Sequence, residues 1–283
     1  MNKIIYNNFH ILPELLQKLT TDLHSFPYID ISNTLNNCNF MIYPEIIQHK
    51  HTFKELHEYL LNISNKYTSI PKIVFIVTDY CGRLKKYSNI HVLRTSLKKR
   101  HIRKNEYILP YIWEYKYFPF IPLKHCLKPI VSFCGLLSNK RKKLVHDINK
   151  NNLIESSFII RDKFWGGSPH DPSLINEFYA NILSSHFVIC TRGKGNFSMR
   201  FYQTLSCGRI PILLDTDMPL PFPHLIKWDN IIICKKTEDE IIETLLLWWK
   251  NRNIIEIQKK CHTIYQKFFM YNNFLPNLIK SMN

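Results

Sequence analysis

Apolar residues along this chain recur in two alternating patterns. Short continuous runs such as Lys72-Ile73-Val74-Phe75-Ile76-Val77 are rich in β-branched residues, the pattern of strands buried on both faces of a parallel sheet. Between them, apolar residues return at helical spacing, as in Phe53, Leu56, Leu60 and Ile63. That helix should open at Thr52, where Glu55 completes a capping box. In the first part the pattern predicts strands at Asn2–Tyr6, Asn39–Tyr43, Lys72–Val77 and Ile90–Leu93, with a helix over Leu12–Leu23. Pro110, Pro119 and Pro122 then break the rhythm, which places a domain junction near residues 118–128. Beyond it, strands are predicted at Pro129–Phe133, Ser157–Ile160, Phe187–Thr191, Ile210–Leu214 and Asn230–Cys234. The intervening helices are Lys140–Asn149, Leu174–Ser184, Ser198–Cys207, Glu238–Lys250 (with a second capping box) and one from Ile254 to about Phe268. Such alternation means βαβ units and a parallel sheet: an α/β chain, residues 1–125 forming one unit and 126–283 a second.

The most informative segment runs from Phe187 to Phe222. An apolar strand leads into a glycine-broken basic loop, Arg192–Phe197, and a helix opening at Ser198. Gly208 should end that helix as its left-handed cap. A helix start offers unpaired N–H groups and the positive end of its dipole. With nearby cations it makes a site for phosphate or a nucleotide, and ligands in parallel sheets sit at such strand ends. Arg192, Lys194 and Arg200 are the candidate diphosphate ligands, since developing charge on a phosphate leaving group is stabilised by preorganised cations. Arg200 in the first helical turn opposes the helix dipole, a conflict that a bound anion relieves. Gly193 and Gly195 permit close backbone approach, though a plain turn accounts for them equally. Ser198 reads first as an N-cap, a role compatible with phosphate contact. Arg141 either enters the cleft or belongs to a solvated basic run. Asp171, in Ser-Pro-His-Asp-Pro, reads as a turn residue.

Composition adds bounds. The 283 residues are 45% hydrophobic and 21% charged, a globular profile. The 38 Lys and Arg against 22 Asp and Glu give a net charge of +16, which attracts anionic partners. The basic residues are scattered in short runs, as on a solvated surface, so no nucleic-acid partner is expected. Frequent Asn, Ile and Lys with only 7 Gly point to an AT-rich genome and dilute the meaning of the charge. The 8 Cys show no zinc-like spacing, so no metal site is expected. The N-terminal Met1–Leu16 stretch lacks a long apolar run, and no transmembrane segment is evident. The sequon at Asn196 lies inside the candidate phosphate loop, where a glycan would block it. Both points lead to the expectation of a cytoplasmic chain.

These residues resemble the exostosin-like glycosyltransferases (family 47 type). The correspondence is carried by Phe133-Cys134-Gly135, Arg141, Thr191-Arg192-Gly193-Lys194-Gly195 with Ser198-Met199-Arg200, Gly208-Arg209-Ile210-Pro211-Ile212, Leu220-Pro221-Phe222 and Trp228. It holds in order over roughly residues 130–235. Thr191 stands where the family has Pro. Gln203 stands where a Glu is usual; Gln hydrogen-bonds a ribose hydroxyl without charge assistance. The resemblance implies two facing Rossmann-like domains of the GT-B type, the N-terminal one reduced, with the sugar nucleotide (UDP- or GDP-linked) on the C-terminal side. A glycan or other hydroxyl acceptor would bind on the N-terminal side. It implies inversion at the anomeric carbon without a bound metal or cofactor. Inversion needs a general base from the N-terminal half. Asp79, following the strongest strand there, is the candidate, although an Asp in that place is more often a turn or cap; Glu106 and His91 are lesser ones. Alternatives are a catalytically inactive glycan- or nucleotide-binding scaffold and a fucosyltransferase-type variant of the same fold. Nothing in the chain identifies a protein partner.

Overall fold

The computed structural model describes residues 2–5, 29–32, 40–47, 52–66, 68–111 and 118–282. The first half contains β1 (Asn2–Ile5), β2 (Ile29–Ser32), β3 (Phe40–Ile47), α1 (Phe53–Asn65), β4 (Lys72–Ile76), β5 (Ile90–Arg94) and β6 (Glu106–Ile108). The second half alternates without a break. It runs β7 (Ile130–Leu136), α2 (Asn139–Lys150), β8 (Glu155–Arg161), α3 (Pro172–Leu183), β9 (Phe187–Ile189), α4 (Met199–Ser206) and β10 (Ile210–Leu214). Then come β11 (Ile233–Lys235), α5 (Glu238–Asn251), α6 (Ile254–Ile264), a π-helical turn over Tyr265–Phe269 and α7 (Tyr271–Ser281). The helix expected over Leu12–Leu23 lies outside the described residues.

Among the described residues every strand pair is parallel. One sheet has the order β2-β1-β3-β4-β5-β6 and the other β11-β10-β9-β7-β8. Counted within its own half, the first sheet reads 2-1-3-4-5-6 and the second 2-1-3-4-5, a doubly wound order that reverses direction between its first and third strands. The α/β expectation of two Rossmann-like units therefore holds. The first half is lean in described helices rather than in strands.

Alternation along β4 explains how the first sheet is covered. Ile73 and Phe75 join a large core that also contains the apolar residues of the second sheet. Val74 and Ile76 point the other way and pack with Leu56, Leu60 and Ile63 of α1. Thr52 and Glu55 make the expected reciprocal capping box, and Thr237 and Glu240 repeat it on α5.

The pattern missed β2, β6 and α7. Helix α7 has no side-chain cap and carries Pro276 in its interior, both signals against a helix. Burial of Phe274, Leu275, Leu278 and Ile279 overrides them. The last strand is shorter than the expected Asn230–Cys234. Trp228–Asn230 instead forms a 3-10 turn, pinned by the Trp228 indole N–H donating to the Pro221 carbonyl at 2.8 Å.

Gly208 follows α4 with φ +63°, and an added Cβ would lie 2.8 Å from the Phe120 ring. Gly208→Ala is expected to destabilise the chain by at least about 1–2 kcal/mol, the cost of a left-handed L-residue before any clash. Urea unfolding measures this, and a loss below about 0.5 kcal/mol would mean that the helix end readjusts. Among the described residues no helix is long and apolar enough to cross a membrane.

Candidate functional site

The site follows from the sheet order. Strands β7 and β9 are neighbours in the second sheet but run to helices on either side, so their carboxyl ends diverge and leave a crevice. Two arginines fill its floor, and each bridges both strand ends. Arg200 donates through Nη2 to the Cys134 carbonyl at 2.5 Å and through Nη1 to the Ile189 carbonyl at 3.3 Å. Arg141 donates through Nε to the Thr191 carbonyl at 3.1 Å and through Nη1 to the Leu136 carbonyl at 3.0 Å. Both lie over the ring of Phe133, at 4.5 Å for Arg200 and 5.6 Å for Arg141.

The Phe133-Cys134-Gly135 block thus has a physical meaning. Its ring faces both cations, its middle carbonyl accepts from Arg200, and its glycine leaves room. Gly135 has φ +146°, and a Cβ there would stand 2.8 Å from Arg200 Nη2.

Arg200 leaves the first turn of α4 toward carbonyl oxygens, which offset the conflict with the helix dipole. Among the described residues, neither the buried Arg141 nor the half-buried Arg200 is paired with a carboxylate. Burial and the neighbouring Arg200 push Arg141 down to about 10. Burial also lowers Arg200, whose Nε has no hydrogen-bond partner. Two neighbouring cations, one buried and one half-buried, are costly without an anion, and a bound anion would offset that cost.

A cavity of about 460 Å³ opens above them. The lining includes Asp79, Arg141, Gly193, Lys194, Gly195, Ser198, Arg200 and Gln203. One expected ligand, Arg192, is not among the lining residues. Its guanidinium donates to Asn196 Oδ1 at 3.0 Å and the Lys194 carbonyl at 2.8 Å, so it shapes the loop from behind. Ser198 stands at the N-cap position of α4, but its side chain makes no capping hydrogen bond. Gln203 is buried. Its Nε2 donates to the Tyr179 hydroxyl at 3.4 Å, and its Oε1 has no hydrogen-bond partner.

The first half closes one side of the cavity. Asp79, in the loop after β4, lies 3.7 Å from Lys194 Nζ. The Ser96 hydroxyl donates to the Asp79 carbonyl at 3.0 Å and accepts from the Asn196 N–H at 2.9 Å. Gly195 is needed at this junction, since a Cβ would fall 2.6 Å from Asp79 Oδ1 and 2.3 Å from the Phe197 ring.

Glu106 and His91 lie elsewhere. Glu106 is buried against Arg94 at 3.5 Å, and His91 packs between Phe40 and Tyr107. Neither lines the cavity. Asp171 caps α3, accepting from the Ser173 N–H at 2.8 Å.

Sequence reasoning missed several participants. Tyr111 and Phe197 form an aromatic pair at the cavity's inner side. Arg161, at the end of β8, also lines it and is ion-paired with Glu177 at 2.7 Å. Phe164 and Trp165 form part of the far wall. The available signal was the Phe164-Trp165-Gly166-Gly167 loop, an aromatic pair and two glycines immediately after a predicted strand. The buried Asn196 also went unread except as a sequon.

No protein-family model matches this chain. It is 27% identical over 93 residues to an Exostosin-1 homolog of Caenorhabditis elegans, covering 32% of this chain and 24% of that protein. It is 28% identical over 106 residues to Exostosin-1c of Danio rerio, covering 35% of this chain and 14% of that protein. The chain thus matches a quarter or less of the length of these curated relatives. Among solved structures, a point mutant of S. aureus TarM in complex with fondaparinux, alpha-GlcNAc-glycerol and UDP is similar at TM-score 0.44 and 11% identity, over 86% of this chain and 55% of that one. WaaG, a glycosyltransferase involved in lipopolysaccharide biosynthesis, is similar at TM-score 0.41 and 8% identity, over 100% and 98% of the two chains. The S. aureus MnaA–UDP structure is similar at 0.40 and 10%, over 99% and 96%. The resemblance carried by the motif blocks is borne out by the curated matches, which make about a third of this chain similar to exostosins.

Proposed function

We propose that this protein is a glycosyltransferase of GT-B architecture that moves a sugar from a nucleotide-linked donor to a hydroxyl acceptor. The observation that carries the proposal is the pair of guanidinium groups, Arg141 buried and Arg200 half-buried, that lie without a carboxylate partner among the described residues at the switch point of the second sheet. An anion such as the donor diphosphate suits that place, and the exostosin resemblance supports its being linked to a sugar. Lys194 reaches the same cavity from the basic loop. The orphaned Gln203 Oε1 is the acceptor offered to a ribose hydroxyl.

In the proposed step the acceptor oxygen attacks the anomeric carbon from the face opposite the diphosphate. The carbon–oxygen bond to the diphosphate breaks with inversion, and the nucleoside diphosphate leaves with the electron pair. Asp79 takes the acceptor proton, and Arg141, Arg200 and Lys194 stabilise the departing charge in place of a metal. Asp79 serves only when its ion pair with Lys194 opens, which a diphosphate competing for Lys194 would favour.

A second reading, a nucleotide- or glycan-binding scaffold without transfer, is favoured by Gln203 in place of a carboxylate and by the same Asp79–Lys194 pairing. Calorimetry with UDP and GDP in EDTA, followed by assays of transfer and donor hydrolysis with UDP- and GDP-sugars, separates the two. The transferase reading expects EDTA-resistant binding and turnover. Asp79→Asn should then lower kcat by about 100-fold or more, with nucleotide affinity within about threefold of wild type. Binding without turnover supports the scaffold, and turnover unchanged in Asp79→Asn removes Asp79 from the mechanism.

A further inference from the structure

We infer that the open edge of β8 is a self-association surface, on which a second copy of this chain pairs antiparallel about a twofold axis at Phe158. The surface stands whether or not the cavity takes a nucleotide sugar.

Among the strands of its sheet, β8 is the exposed one. The order is β11-β10-β9-β7-β8, so among the described residues β8 has a strand on one side alone. All of β9 is buried, and so are Val131–Cys134 in β7. No residue of β8, from Glu155 to Arg161, is buried. Ile160 is 48% exposed, and Leu153 just before the strand is 57% exposed. Edge strands are ordinarily blunted by shortness, lysine, proline or a bulge. The opposite edge follows that rule, since β11 has three residues and ends in the exposed Lys235. β8 has none of these devices. It is seven residues long, holds neither lysine nor proline, and pairs with β7 without a shift of register.

The phase of its backbone is fixed by one hydrogen bond. The Glu155 N–H donates to the Pro129 carbonyl at 2.9 Å. In a parallel ladder alternate residues turn both backbone groups to the same neighbour, so Glu155, Ser157, Ile159 and Arg161 serve β7. Ser156, Phe158 and Ile160 therefore turn N–H and C=O outward, where no described strand receives them. Such a row of groups is a template for another strand.

The strand sequence, Glu-Ser-Ser-Phe-Ile-Ile-Arg, selects a second copy as that strand. Paired antiparallel with itself about Phe158, it sets Ser156 opposite Ile160 and Phe158 opposite its own counterpart. These are the outward residues, so each opposed pair exchanges N–H···O=C bonds. The same register sets Glu155 opposite Arg161 at both ends, on one face of the strand. Opposite charges directly across an antiparallel pair are favourable, and like charges there are not. Arg161 already donates to Glu177 at 2.7 Å, so Glu155 of the second copy would complete a carboxylate–arginine–carboxylate cluster. A shift of one residue would face outward groups with inward ones, and a shift of two would break the Glu155–Arg161 opposition. Twofold pairing uses up the edge on both copies, so the assembly closes at two and joins the sheets of both second halves.

The test is sedimentation velocity over a concentration series. At about 0.15 M salt, repulsion between two chains of net charge +16 is screened beyond about 8 Å. Wild type should show a reversible monomer–dimer equilibrium. Glu155→Arg sets like charges opposite at both ends and should weaken it about tenfold or more. Ile160→Pro removes an outward N–H without touching the β7 ladder, and should do the same. If the proline variant fails to fold, Glu155→Arg decides, since Glu155 is exposed. Hydrogen exchange read by NMR locates the interface. The Ser156, Phe158 and Ile160 amides should be protected in the dimer and exchange in Glu155→Arg, with Ser157 and Ile159 protected in both. A wild type that stays monomeric throughout overturns the inference. So does a dimer that Glu155→Arg leaves unchanged, one whose outward amides exchange freely, or growth beyond two copies.

Discussion

Arg200→Met should erase nucleotide binding while leaving the unliganded chain folded. Arg200 is half-buried beside Arg141 with no carboxylate partner among the described residues, donating to the Cys134 and Ile189 carbonyls. In the unliganded protein, methionine gives up those two hydrogen bonds. It also removes a desolvated charge and its repulsion of Arg141, and buried ions replaced by apolar groups of similar size are often near neutral in stability. The liganded state has no such compensation. Losing a charge-assisted contact to a diphosphate and leaving the anion unmatched should cost on the order of 100-fold or more in affinity. A ligand at about 100 times its dissociation constant stabilises the folded state by about 2.7 kcal/mol. Thermal unfolding with and without UDP or GDP should therefore show a shift in wild type and none in Arg200→Met, with the two unliganded transitions close together. A variant that still gains stability from nucleotide would place the diphosphate elsewhere. A variant that fails to fold would show that the cation's main task is to join β7 to β9, and Arg200→Lys would then keep the charge and test binding.

The largest stability effect is expected at Asn196. The residue is almost fully buried, at the point where the basic loop meets the first half. Its Nδ2 donates to the Leu97 carbonyl at 2.8 Å, and its Oδ1 accepts from Arg192 at 3.0 Å and from Thr216 at 2.8 Å. Its own N–H reaches the Ser96 hydroxyl at 2.9 Å. Asn196→Ala leaves the buried Leu97 carbonyl without its donor and the half-buried Arg192 and Thr216 donors without their acceptor. The expected loss is about 2–4 kcal/mol, since each orphaned buried group costs about 1–3 kcal/mol and the vacated space recovers part. Asn196→Asp should behave alike, because the new oxygen faces the Leu97 carbonyl where a donor stood. Urea unfolding measures both, and a loss under about 1 kcal/mol would mean that the loop re-forms its contacts through water. Glycosylation of this sequon is incompatible with the folded arrangement, since the glycan nitrogen is the one bound to Leu97.

Both effects depend on contacts across the fold, and they mark the boundary of what the chain's pattern determines. The alternation of β-branched runs with helical spacing determined the α/β class, the two capping boxes and nearly every element after residue 129. Local physics suffices there: period-two burial, side-chain caps and a glycine at a left-handed position act within a few residues of one another. The same local chemistry marked the basic loop and the start of α4 as an anion site, with Arg141, Lys194, Gly193, Gly195, Ser198, Arg200 and Gln203 now found around one cavity. It could not separate Arg192 from Arg200, since both are arginines near one helix start. Only the packing turns Arg192 behind the loop and Arg200 across two strand ends. Likewise α7, with Pro276 and no cap, exists because its apolar face is buried, a force that sequence propensity does not contain. Asn196 bonds to residues about one hundred positions away, so its weight becomes visible only when the sheets are brought together. The strand order was decided in the same way: which ends diverge, and therefore where Arg141 and Arg200 come together, is a property of topology, set by how the helices cover both faces of each sheet.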